Sequence, residues 1–451
     1  MTAAGQLADF AADLDPLALP PDMMRAARLH LLDAIGVGVA ASSGPGQRGW
    51  VDEMQNAGKA CSLAGGSASA AEAAMLNGCL IHSLEYDDTH VASVIHGSAV
   101  AAPIALAAAQ EADADGAAML AGFVIAWEAM IRIGLAAPGA FQARGVQVTS
   151  VAGAIGAALA AARVWRLDRD RMISAIGIAG SQASGMLAFL SEGASVKALN
   201  PGWAAQTGIM AARLARGGMT GPSDILENRF GPMRVFGADP AGLDATLKDL
   251  GARWYLPEAA FKLYPACHYI HPFLELTERL MADGVTPDTV ETMTLHVPVE
   301  ELALIAEPWT RRQAPSSGYD GKWGLPYCIA LMLTDGRVDV ASFEHAPRDE
   351  VVALARRMSL EPWTESGFPA RFPARIETRT TDGRRLDVSV ETVRGAPGRE
   401  IGEDAVLAKV RANLSRRHSD DAATRIIAAL LDGAAPDLAA LSQAIRSPSH
   451  P

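Results

Sequence analysis

Between residues 22 and 262 the chain reads as almost continuous helix, with apolar positions filled mainly by alanine and glycine. "PDMMRAARLHLLDAIGVGVAAS" opens on prolines and sets Met24, Ala27, Leu31 and Ile35 on one face. "SASAAEAAMLNGCLIHSLEY" begins at serines suited to capping. "TSVAGAIGAALAAARVWRLD" repeats the pattern, and "GWAAQTGIMAARLARGG" ends in glycines suited to a left-handed cap. Small residues let helix axes approach closely. These segments are therefore expected to be buried on several sides of a multi-helix bundle.

The texture changes near residue 268. "VETMTLHVPVE" alternates apolar and polar residues, as a strand does, and "ARIETRTTDGRRLDVSVETV" is two alternating runs joined across Asp382-Gly383. "GKWGLPYCIALMLTDG" and "FEHAPRDEVVALARRM" between them read as helix. The expected fold is mostly α: a large helical domain over 1–267, a smaller α+β lid over 268–400, and C-terminal helices over 401–451 that pack back on the first domain.

The bulk composition closes off several classes. A chain of 451 residues with 49% hydrophobic and 20% charged residues is globular and too long for one small core. A net charge of −12 argues against a nucleic-acid partner. The basic run Arg416-Arg417-His418 precedes Asp420-Asp421 and reads as a solvated helix face. Cys61, Cys79, Cys267 and Cys328 show no short-spaced pair, which suits buried thiols in a reducing compartment. The N-terminal stretch is acidic where a signal peptide needs basic residues. No apolar run is read as reaching the roughly 20 residues of a membrane span, since the longest are cut by Gln110, Arg144 and Arg163. The expectation is a cytoplasmic protein without a membrane partner.

Titratable groups concentrate in "IHSLEYDDTHVASVIHG", residues 81–97, which holds Glu85, Asp87, Asp88, His82, His90 and His96. A metal site, an acid–base centre and a polar loop are the alternatives. No spacing matches a specific metal-ligand motif, so no metal is expected. Acid–base work fits best, because a carboxylate beside a histidine orients it and raises its pKa. Lys197 is the only cation between Ser191 and Gln206 and is suited to a substrate carboxylate or to proton transfer. Ser181, Gln182 and Ser184 lie among small residues in "GIAGSQASGM". "KLYPACHYIHPF" supplies Lys262, Tyr264, His268 and His271 where the helical part meets the α+β part. GxGxxG after a strand, GxxxxGK[ST] and GxSxG are all missing, so nucleotide cofactors and serine hydrolysis have no support.

These blocks, in this order, resemble the MmgE/PrpD family over almost the whole chain. Its members include 2-methylcitrate dehydratases, cis-aconitate decarboxylases and iminodisuccinate epimerases. "LHLLDAIGVGVAAS" is similar to the family's first helix, and "NGCLIHSLEYDDTH…HGSAVAAPIALA" to its "HxLDFDDTH…HPSA" signature. "GIAGSQASGM", "VKALNPGWAAQTG", "KLYPACHYIHP" and "KWGLPYCIA" follow as further family-like blocks. The resemblance implies a homodimer, chemistry without a cofactor on a small di- or tricarboxylate, and a site between the domains.

Position by position, the resemblance makes Lys197 the active-site lysine, His96 the histidine of "HPSA" and His271 the histidine after "KLYP". Asp87, Asp88 and Thr89 match "DDT", Tyr327 matches the tyrosine of "SLPY", and Lys322 falls near the pocket. In this reading His96, oriented by Glu85 or Asp88, transfers a proton, Lys197 binds or protonates around a carboxylate, and His271 completes the charge environment. Asp87, Thr89, His90, Gln147, Ser181, Gln182, His268, Lys322 and Tyr327 bind substrate. Three positions depart from the family: Glu85 for an aspartate, Gln147 for the histidine of "GFHxT", and Gly97 for the proline of "HPSA". The function implied is a lyase, by dehydration or decarboxylation. The alternatives are a dicarboxylate epimerase, which Gln147 favours slightly, and a carboxylate-binding protein without turnover.

Overall fold

The computed structural model describes residues 1–54, 57–191, 194–368 and 371–446. The chain forms two units. The first takes residues 1–83, 87–261 and the tail from Gly402; the second takes 84–86 and 262–401. A helical unit is thus made from both chain ends and an α+β unit from the middle.

The long helices of the first unit are α1 (Ala3–Asp13), α2 (Pro21–Ser42), α3 (Ala70–Ser83), α4 (Ser98–Glu111), α5 (Gly116–Leu135), α6 (Val148–Val164), α7 (Arg169–Ser181) and α8 (Leu199–Arg216). As the small-residue pattern implies, α4 and α6 are buried along nearly their whole circumference. The approach of α3 to α8 depends on two glycines. A Cβ on Gly78 would stand 2.6 Å from the Gly202 Cα, and one on Gly202 would stand 2.3 Å from the Met75 carbonyl oxygen. Only hydrogen fits at this crossing, and it sets the end of α3 beside the start of α8.

Two expectations fail here. The helical run does not continue to 262. After α8 the chain holds only short pieces, Pro232–Val235 and Leu243–Leu247, with single 3-10 turns. Gly217-Gly218, Gly221-Pro222, Gly231-Pro232 and Pro240 interrupt the backbone ladder before another long helix can form. Conversely, α5 is apolar and long enough by composition to cross a membrane, with 89% of its apolar window buried in the protein. Its two titratable side chains have partners inside the protein. Glu128 accepts from the backbone N–H groups of Tyr255 and Leu256, and Arg132 donates to the Arg253 carbonyl at 2.7 Å.

The second unit holds α9 (His271–Ala282), β1 (Val290–Pro298), α10 (Leu325–Asp335), α11 (Asp349–Ala355), β2 (Met358–Trp363), β3 (Ala374–Thr380) and β4 (Arg385–Val390). The sheet order is β2-β1-β3-β4, with β1–β2 parallel and the other pairs antiparallel. Leu295 stands opposite both Leu360 and Ile376, and α9 packs on β3 and β4. The Asp382-Gly383 turn forms as read, with Gly383 at φ +87°. The strand β2 escaped the sequence reading. It is an edge strand carrying Pro362, which cannot donate to a ladder and masks the strand signal.

The tail returns to the first unit as α12 (Glu403–Leu414), α13 (Asp420–Leu431) and α14 (Leu438–Arg446). A buried ion pair fastens α12 to α2, with Lys409 Nζ 2.8 and 2.9 Å from the two Asp33 carboxylate oxygens. Arg28 adds a bond of 3.0 Å to the Gly433 carbonyl. The basic run before α13 is not a solvated helix face. It lies in the turn after α12, with Arg416 and Arg417 half-buried and His418 buried. Burial pushes the His418 imidazole down to about 4.

The α3–α8 crossing gives a direct stability test. Gly202→Ala should cost about 1–3 kcal/mol through overpacking, despite the better helix propensity of alanine. Gly49→Ala, which meets nothing within 4 Å, should be neutral or gain up to about 1 kcal/mol. Urea melts of both variants decide; equal midpoints would show that the crossing tolerates a methyl group.

Candidate active site

The segment after α3 turns back on itself. Thr89 and Ala260 exchange backbone bonds of 3.0 and 2.9 Å, and His90 N donates to the Ile95 carbonyl at 2.8 Å. Val94 takes a left-handed conformation at the tip, φ +55°. The reversal delivers His96 next to Asp87 and starts α4 at Ser98. His82, at the end of α3, meets the same carboxylate oxygen, its ring edge-on to that of His96.

Asp87 is the centre of this arrangement. Its Oδ2 is 2.8 Å from His82 Nδ1 and 3.4 Å from His96 Nδ1, and the side chains of Asp87 and His82 are fully buried. Burial alone would raise the Asp87 carboxyl, but the two imidazoles overcome it and hold the group well below the usual carboxylate range. The Asp87 Oδ1 atom is buried without a hydrogen-bond partner among the described residues.

Hydrogen bonding specifies both imidazole tautomers. His96 Nδ1 faces the Asp88 carbonyl oxygen at 3.1 Å as well as Asp87 Oδ2; both are acceptors, so this nitrogen carries the proton. Asn200 Nδ2 donates to Gln147 Oε1 at 2.7 Å, which turns Gln147 Nε2 toward His82 Nε2 at 3.3 Å. His82 Nε2 is therefore an acceptor, and its Nδ1–H donates to Asp87. A chain of contacts runs from Asn200 through Gln147, His82 and Asp87 to His96. Gln147 transmits orientation where the resemblance places a proton-exchanging histidine.

Asp88 serves as a brace. Its carboxylate takes His30 Nδ1 at 2.7 Å and the Ser98 backbone N–H at 3.1 Å, plus the Ser98 hydroxyl. Trp127 Nε1 donates to that hydroxyl at 3.0 Å, and His30 stacks on Phe261. The carboxylate that orients His96 is thus Asp87, with Asp88 contributing its backbone carbonyl. The Gly97 departure has a local reason: a Cβ there would stand 2.4 Å from Trp127 Cε2, so the indole fills the room a proline ring would need.

Lys197 lies in a 3-10 turn, Ser195–Ala198, that leads directly into α8 and packs against α3. Its side chain is only 8% exposed. It stands one helical turn before Asn200, whose carbonyl takes the Ser150 hydroxyl at 2.9 Å. An ammonium beside the first N–H groups of an 18-residue helix favours an anion.

The other sequence-derived residues have different surroundings. The Thr89 hydroxyl lies 3.3 Å from His96 Nδ1. His90 Nδ1 bonds the Ser93 hydroxyl at 2.9 Å within its own turn. Ser181 donates back to the Gly177 carbonyl, and with Gln182 it sits exposed at the end of α7. In the second unit, Glu85 lies 3.6 Å from Lys262 Nζ. Lys322 donates to the Leu84 and Pro265 carbonyls, 2.9 Å each, so it tethers the Leu84–Tyr86 segment within that unit. His271 Nε2 lies 3.3 Å from the Ala266 carbonyl, with rings of His268 and Tyr264 edge-on to it. Tyr327 is buried in α10. Sequence reasoning passed over His30, His82 and Asn200 as site residues. His82 sat inside the conspicuous segment; His30 and Asn200 carry no local signal.

Burial lowers Lys322 to about 7, opposed by Glu85. Its unfolded form keeps the proton up to about 10.5. Between these values the unfolded chain binds more protons, so Lys322 should make stability rise with pH across that window, with its full penalty below about 7. The difference in melting temperature between wild type and Lys322→Met, followed from pH 7 to 10.5, measures this contribution. Parallel curves would mean that the ammonium titrates normally.

Residues 5–242 match the MmgE/PrpD N-terminal domain and residues 264–433 the MmgE/PrpD C-terminal domain. A cis-aconitate decarboxylase-like protein of Aspergillus oryzae is 28% identical over 422 residues, covering 86% of each chain. Cis-aconitate decarboxylase of Aspergillus terreus is 26% identical, covering 86% of this chain and 84% of its own. The Homo sapiens cis-aconitate decarboxylase is 27% identical over 84% of this chain and 80% of its own. Two domain matches in order, spanning most of the sequence, establish that this chain belongs to the MmgE/PrpD family.

Proposed function

We propose that the protein is a lyase that decarboxylates a small unsaturated tricarboxylate such as cis-aconitate, working without a cofactor. The observation that carries this reading is the Asp87-held imidazole pair in the unit where Lys197 sits at the start of α8. The relatives named as cis-aconitate decarboxylases support it. In the proposed reaction the carbon–carbon bond to one carboxylate breaks and releases carbon dioxide. Its electron pair shifts through the double bond, and the carbon at the far end takes a proton. His96 delivers that proton from Nε2, because Nδ1 is committed to Asp87 and the Asp88 carbonyl. Lys197 and the α8 N-terminus hold a remaining carboxylate. His271 keeps its assignment to the charge environment as a proposal, tested by His271→Ala in the same assay.

A second reading is favoured by one observation. The Gln147 carboxamide is hydrogen-bonded to His82 and Asn200 and exchanges no proton. That observation counts against dehydration, in which hydroxide must also leave, and leaves epimerisation of a dicarboxylate as the second reading. Proton NMR in D₂O separates the readings. Loss of a carboxyl group from cis-aconitate marks decarboxylation, and α-deuteration of a dicarboxylate without net change marks epimerisation. Lys197→Ala and His96→Gln should each lower kcat/KM by about 100-fold or more, in the range of a lost proton donor. Full activity in both variants would remove the proposed roles.

We also propose a cytoplasmic homodimer. Cys61, Cys79, Cys267 and Cys328 are all free thiols. On α8, Leu199, Trp203, Met210 and Leu214 form one exposed apolar stripe, suited to a second copy of the chain. Light scattering should give a dimer for wild type and a monomer for Trp203→Asp; an unchanged mass would place the interface elsewhere.

A further inference from the structure

The spacing of His82, Asp87 and His96 in sequence matches no metal motif, yet folding brings their ligand atoms together. One ligand atom from each of the three residues lies within 4.8 Å of the other two, and both Nδ1 atoms face Asp87 Oδ2. Two imidazoles and one carboxylate are a donor set suited to zinc. A tetrahedral zinc with bonds near 2.0 Å holds its ligand atoms about 3.3 Å apart. The pair distances of 2.8 and 3.4 Å about Asp87 Oδ2 bracket that spacing, so a shift of a few tenths of an ångström brings both into range.

Two further observations point to a cation. Asp87 Oδ1 is buried without a hydrogen-bond partner among the described residues, so one oxygen of the carboxylate is left to accept in a low-dielectric site. And the outer partner of His82 is a carboxamide. Metal on Nδ1 leaves the imidazole proton on Nε2, and Gln147 accepts it by turning its amide, with Asn200 turning in step. A histidine-ligated metal ordinarily has such an acceptor behind it.

We infer that His82, Asp87 and His96 form a site for a divalent transition-metal ion such as zinc, and that the ion blocks acid–base chemistry, because metal on His96 Nδ1 takes the place of the proton that makes its Nε2–H an acid. The second clause rests on the proposed function; the first does not. His96 is the partly exposed member, at 12%, and gives the ion its entry side. Binding displaces protons, so it strengthens as pH rises.

Cobalt(II) is the probe, because its visible ligand-field absorption reports coordination without any assay of turnover. Wild type titrated with cobalt(II) should develop the band of a four- or five-coordinate ion at one equivalent, discharged by zinc and abolished by EDTA. Asp87→Asn and the more conservative His96→Gln should each weaken binding by about 100-fold or more, beyond what loss of an outer partner costs. His296→Gln, in the second unit, should leave it unchanged. Circular dichroism confirms folding of each variant. The metal site is overturned if wild type gives no one-equivalent band, or if the band survives both ligand variants. A band without decarboxylation would leave the metal site standing and remove the proposed reaction. Activity that one equivalent of bound zinc does not lower would remove the inhibition.

Discussion

A carboxylate with no exposed side-chain surface, as at Asp87, persists in a folded protein only when its surroundings are arranged to stabilise it. Much of the first unit serves that arrangement. The end of α3 presents His82, the hairpin-like turn after it returns His96, and the N-cap of α6 and the first turn of α8 supply Gln147 and Asn200 behind His82. The neighbouring Asp88 is fastened separately to His30 on α2 and to Ser98 at the start of α4. Two adjacent carboxylates therefore have distinct surroundings, one held between two imidazoles and one fastened to α2 and α4, and the difference comes from their partners rather than their type.

The small-residue helices make this convergence possible. A crossing at Gly78 and Gly202 brings the α3 end, with His82, to the α8 start, with Asn200 and Lys197 close by in sequence. Larger side chains would hold the helices at an ordinary separation of 8–10 Å and open the chain of hydrogen bonds. The tail contributes from the far end of the sequence. Lys409 pairs with Asp33, one helical turn from His30, so α12 steadies the helix that steadies Asp88.

Much of the fold was legible because its signals are local. Helical periodicity and capping mark α2 and α6, and the Asp-Gly turn marks the β3–β4 hairpin. The broken stretch after α8 was misread because composition alone hides how often glycine and proline interrupt it. Of the site, the segment from His82 to His96 was conspicuous for its titratable groups, and Lys197 for its isolation. Which carboxylate faces which histidine was not legible. Asp87 and Asp88 are neighbours in sequence, and only the turn at Val94 decides that His96 returns to Asp87. His30 and Asn200 lie 52 residues before and 118 after His82 in sequence, a relation no local pattern encodes. The departure at Gly97 became intelligible only with Trp127 beside it.

One chain of polar contacts, from Asn200 to His96, specifies the protonation pattern around Asp87. Nitrogen-15 NMR of the imidazoles in the intact protein at neutral pH tests it most directly. His82 should be protonated at Nδ1 with Nε2 as acceptor, and that pattern should change when Gln147 is replaced by leucine. A His82 protonated at Nε2, or one indifferent to Gln147, would contradict it.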